Sequence, residues 1–90
     1  MISSIENYYE HMVIDRIHRV LAENQEDEDP VRIADLTCLA LNQLPPRYIR
    51  HFVDIALHIG DEERLRMDDN VKDAVDFAFQ TYRRRQQDER

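Results

Sequence analysis

The residues best suited to chemistry lie together in Leu44-Pro45-Pro46-Arg47-Tyr48-Ile49-Arg50-His51-Phe52-Val53-Asp54. Two arginines, a tyrosine, a histidine and an aspartate follow a rigid double proline. Proline pre-orders the backbone, so the side chains after it lose little entropy on binding. An arginine offers a planar fork to a phosphate and a flat face to a base. Tyr48 and His51 can stack or hydrogen-bond a phosphate, and Asp54 can accept from N–H donors such as the donor edge of guanine. Together these are the groups that a phosphorylated purine requires. The structural alternative is that Tyr48 packs in the core, Arg47 and Arg50 pair with acids, and Pro45-Pro46 merely end a helix. Surface arginine–acid pairs are common, so residue types alone leave both readings open. Further cations, Arg16, Arg19 and Arg32, are available to complete the charge of a ligand site.

Catalytic chemistry has no comparable anchor. Cys38 sits within Leu36-Thr37-Cys38-Leu39-Ala40, which reads as a buried, inert thiol. The histidines fall into two pairs seven residues apart, His11 with His18 and His51 with His58. On one straight helix that spacing is about 10 Å, too far to share a metal, and on a strand it puts the rings on opposite faces. No carboxylate pair is set in an apolar pattern for acid–base work. We therefore nominate no catalytic and no metal-binding residue and expect a protein that is not an enzyme. Arg83-Arg84-Arg85 read as a helix C-terminus complementing its dipole.

The elements that position the 44–54 stretch follow from composition and periodicity. The chain has 90 residues and a net charge of −7, from 12 basic and 19 acidic side chains. That balance argues against a general DNA-coating role. Hydrophobic residues are 42% of the chain, enough for one compact domain over 1–90 but with a marginal core. A single glycine, Gly60, excludes a glycine-rich phosphate loop and disfavours a barrel or sandwich. A single cysteine excludes an internal disulfide. No basic-then-apolar leader begins the chain and no run of about eighteen apolar residues occurs, so the expected address is the cytoplasm, without membrane insertion.

Ser3 and Glu6 fit a capping box for a first helix over about 4–24, with Tyr9, Val13, Ile17, Val20 and Leu21 on its apolar stripe. The acid-rich segment 23–29 reads as a solvated loop. Asp29-Pro30 then starts a second helix over about 30–43, with Ile33, Leu36, Leu39, Ala40 and Leu44 along one face, and Pro45 stops it. Residues 47–51 should be extended. Val53, Ile55, Leu57 and Ile59 alternate as in a short strand, while Phe52, Ile55, Ala56 and Ile59 fit a short buried helix about as well. Asp61-Glu62-Glu63 begin a last helix, carried by Leu65, Val71, Ala74, Val75, Ala78 and Tyr82 to about Arg84, with a frayed tail over 85–90. The fold class is mainly α. The three stripes expose more apolar surface than 90 residues readily enclose, which predicts a two-fold homodimer.

The stretch Asp35-Leu36-Thr37-Cys38-Leu39-Ala40-Leu41-Asn42-Gln43-Leu44-Pro45-Pro46-Arg47-Tyr48-Ile49 resembles the signature of the late competence development protein ComFB family. Its Ala-Leu-Asn-x-Leu-Pro-Pro-Arg-Tyr core is the specific part, and weaker similarity covers most of the chain. The resemblance implies a small, mainly helical, dimeric domain without catalytic activity. It also implies binding of cyclic dinucleotides, cyclic di-GMP above all and cyclic di-AMP less so. The signal would pass to a protein effector in competence, pilus, motility or related regulation. Arg47, Tyr48, Arg50, His51 and Asp54, with Arg32 in support, are the expected ligand contacts. Many members carry cysteines before the Asp-Ile pair. Here that region reads Glu26-Asp27-Glu28-Asp29-Pro30-Val31-Arg32-Ile33, so no zinc site is carried over. The alternative function is a helical adaptor that binds only protein.

Overall fold

The computed structural model describes residues 6–49 and 59–88. Helix α1 spans Tyr8–Glu23, α2 Pro30–Leu41 and α3 Asp61–Asp88. Two extended pairs, β1 (Glu6–Asn7) and β2 (Tyr48–Ile49), lie antiparallel with Glu6 opposite Ile49 and Asn7 opposite Tyr48. Two residues a side make a clasp rather than a sheet, and the architecture is helical. Of the strand or helix expected over 52–59, residues 52–58 lie outside the described residues, and Ile59 is described in neither a helix nor a strand.

The helices run up, down and up, and their apolar stripes meet. Tyr9, Val13, Ile17 and Leu21 of α1, Leu36 and Ala40 of α2, and Met67, Val71, Ala74, Val75, Ala78 and Phe79 of α3 form one core with Ile59. Spacings of three and four residues bring each set onto one helical face. Leu65 departs from its expected place. It is 64% exposed, because Met67 and Val71 set the inward face near the start of α3. Cys38 also departs. It is exposed, since at about 100° per residue it lies nearly opposite the buried Leu36 and Ala40.

Helix ends follow local chemistry, with two shifts. Asp29 caps α2 as expected, its Oδ1 accepting from Val31 N at 3.1 Å, with Pro30 in the first turn. The cap of α1 is Asn7 instead of Ser3: its Oδ1 accepts from Tyr9 N at 3.1 Å, and the preceding residue is extended against β2. At its other end α1 closes in a Schellman arrangement, Glu26 N donating to Leu21 O at 2.9 Å and Gln25 N to Ala22 O at 3.2 Å, with Gln25 at φ 55°. Helix α3 continues to Asp88, beyond the expected end at Arg84. Arg and Gln are good helix formers, and bases in the last turn suit the dipole.

Candidate functional site

Arg47 stands at one end of the bundle, where three elements meet. Pro45 and Pro46 carry the chain away from α2 toward the start of α1. There Tyr8 N donates to Arg47 O at 2.7 Å, and Arg47 N donates to Asn7 Oδ1 at 3.3 Å. Asn7 therefore does two jobs, capping α1 and holding the backbone of Arg47. Both backbone polar groups of Arg47 are bound while its side chain remains 45% exposed. The Arg47 guanidinium donates from Nη2 to Glu63 Oε1 at 3.0 Å, in the acidic first turn of α3. An exposed pair of this kind is worth about 0–1 kcal/mol. A charge-assisted phosphate contact is worth about 1.5–3 kcal/mol, so a phosphate can displace Glu63. The same proline turn borders an open groove of about 290 Å³, with Leu44 and Pro45 on one side and Asn70, Asp73 and Phe77 of α3 on the other.

The remaining expected contacts divide. Tyr48 is in the clasp, with Asn7 opposite it. Arg50, His51 and Asp54 lie outside the described residues. Arg32 is at the other end of the bundle. Its Nη2 donates to Glu26 Oε2 at 2.6 Å, and its guanidinium carbon lies 5.6 Å from the Tyr82 ring centre and 6.0 Å from that of Phe79. Arg83 stacks on Phe79 at 5.5 Å and reaches Glu26 Oε1 at 3.6 Å. Glu63 and Phe79 are sixteen positions apart on α3, which is about 24 Å of helix. Arg47 and Arg32 of one chain therefore do not share a site, and Arg32 instead ties α2 to α3. The segment 23–29 is likewise more than a solvated loop: Glu26 joins that cluster, Glu28 Oε1 meets His18 Nδ1 at 3.0 Å, and Asp29 is a cap.

Two site residues escaped the sequence reading, Asn7 and Glu63. Asn is a strong N-cap type, and that signal was available, but Ser3-Glu6 offered a competing start four residues earlier. Nothing local ties Glu63 to Arg47. Among the described residues, no group of three or more His, Cys, Asp and Glu side chains is placed to hold a metal ion. No helix among them is long and apolar enough to cross a membrane.

The family model for the late competence development protein ComFB matches residues 6–86. The chain belongs to the ComFB family. No curated protein and no solved structure matches it. The ComFB match takes in both sides of the clasp and all of the Pro-Pro-Arg-Tyr turn.

Proposed function

We propose that this ComFB-family protein is a non-enzymatic cytoplasmic receptor for cyclic di-GMP that relays the signal to a protein effector in competence, pilus, motility or related regulation. The observation that carries the reading is the fixed Arg47. Its backbone is tied on both sides to the start of α1, while its exposed guanidinium is tied to one exposed carboxylate. A cation held this way needs little ordering to meet a phosphate. Arg47, Tyr48, Arg50, His51 and Asp54 are the proposed contacts. Arg32, spent on Glu26 and two aromatic rings, is left out of them.

The receptor acts as a homodimer in this reading, and nucleotide shifts its population toward the arrangement it binds better. Support for a protein-facing surface comes from α1 and α2. Ile14, Ile33, Ala34 and Cys38 line an open apolar groove of about 560 Å³, and Val31 of α2 is 69% exposed. The same groove favours the second reading, an adaptor that binds protein and no nucleotide. Calorimetric titration of the full chain with cyclic di-GMP separates the two, with cyclic di-AMP as the comparison. The receptor reading expects saturable binding with cyclic di-GMP preferred. Heats no larger than those of dilution would leave the adaptor.

A further inference from the structure

We propose a second anion site, in the groove between α1 and α3 formed around Arg16, Arg19 and Lys72, that takes a phosphate-bearing ligand. The groove holds about 340 Å³ over an apolar floor of Met12 and Val71. It lies midway along the bundle: Arg16 is nine residues beyond Asn7 and Lys72 nine beyond Glu63, which is about 13 Å of helix in each case. It is thus separate from the Arg47 turn, and it does not rest on the reading of that turn as a cyclic di-GMP site.

Three observations point to an anion. First, the side chains of Arg16, Arg19 and Lys72 make no ion pair or hydrogen bond among the described residues, in a chain with 19 acids to 12 bases. Secondly, suitable acids are near and remain unpaired among the described residues. Asp15 and Asp68 line the groove and stand four residues before Arg19 and Lys72, the spacing at which helical acids and bases join. Neither pair closes within 4 Å. Thirdly, Arg16 Nε is buried and has no acceptor among the described residues. Folding normally avoids a buried donor without a partner, because the lost hydration is not replaced. A phosphate in the groove supplies that acceptor and the charge for all three cations. Asp15 and Asp68 then face the ligand as acceptors, which favours a phosphate ester carrying hydroxyl or N–H donors over a bare ion.

The test is a titration of the full 15N-labelled chain with inorganic pyrophosphate, followed by NMR at the Arg16 Nε–Hε and at the amides of 15–19 and 68–72. Saturable shifts at these positions are expected. Lys72→Gln, an exposed change that leaves the fold intact, should weaken binding by about tenfold, and Arg16→Gln by at least as much. Asp68→Asn should tighten it. Shifts that grow linearly with ionic strength, or wild-type binding by Lys72→Gln and Arg16→Gln when both are folded, would overturn the site. A parallel titration with cyclic di-GMP identifies the source of the phosphate. Shifts at Arg16 in both series make the dinucleotide a ligand of this groove, and shifts with pyrophosphate alone assign it to another phosphate ester. The Arg47 reading fails separately, through absence of dinucleotide binding at the proline turn.

Discussion

Removing Arg32 should destabilise the fold and leave nucleotide binding alone. The Arg32–Glu26 bond is short, and the two side chains are only 20% and 28% exposed. A hydrogen bond between charged groups contributes about 1.5–3 kcal/mol. The ring contacts with Tyr82 and Phe79 add about 0.5–1 kcal/mol each. Two effects oppose these. Arg83 keeps a longer contact with Glu26, and Arg32 Nε is itself buried without an acceptor among the described residues, so its removal recovers about 1 kcal/mol. The net cost of Arg32→Ala is about 2 kcal/mol. With a urea slope of about 1 kcal/mol/M for a chain of this size, the midpoint should fall by about 2 M. Arg32→Lys should recover little, because an ammonium has neither the fork nor the flat face. A double-mutant cycle with Glu26→Gln should give a coupling of at least about 1 kcal/mol. Far-ultraviolet circular dichroism in urea reads the stability, and calorimetry with cyclic di-GMP reads the binding. An unchanged urea midpoint together with weakened binding would refute the structural role and restore Arg32 to the ligand site.

Leu36 is fully buried in the core, so Leu36→Ala should cost about 2–5 kcal/mol in urea unfolding. Gln25 occupies the left-handed position that ends α1, and Gln25→Gly should raise stability by about 0.5–1 kcal/mol in the same assay. Asn7→Ala removes both a cap and the anchor of Arg47 N; it should cost about 1–2 kcal/mol in stability and also weaken cyclic di-GMP binding measured on the folded variant. Sedimentation at tens of micromolar should show a species of twice the 10.8 kDa chain mass, and a monomer there would remove the dimer from the account.

Where an element's ends are set by adjacent residues, the sequence was a sufficient guide. Asp29-Pro30 opens α2 and the Pro45-Pro46 pair lies just past its end, because a side-chain cap and a missing N–H act within a turn. The stripe of α1 was legible for the same reason. What was missed depends on distant partners. Ser3 and Asn7 are both cap types, and the choice falls to Asn7 through its pairing across from Tyr48. Arg32 looked like a spare cation because its acid is in the preceding loop and its rings are on α3. The exposure of Cys38 and Leu65 reflects which face of a mixed apolar run turns inward, and short runs of that kind have no clear period. For the site, the Pro-Pro-Arg-Tyr turn was legible as a rigid platform with a cation, whereas its attachment to Asn7 and its pairing with Glu63 belong to the folded chain.

The most direct test compares Arg47→Ala with Glu63→Gln in calorimetric titrations with cyclic di-GMP. Arg47→Ala removes a phosphate contact and should weaken binding by about ten- to a hundredfold. Glu63→Gln releases Arg47 from its competing acid and should strengthen binding by up to about fivefold, the equivalent of an exposed ion pair. Both variants should unfold in urea within about 1 kcal/mol of the parent chain. Opposite shifts in affinity at nearly equal stability are the predicted result. Parental affinity in both folded variants, or no binding by the parent chain, would contradict the assignment of Arg47 as the receptor's phosphate contact.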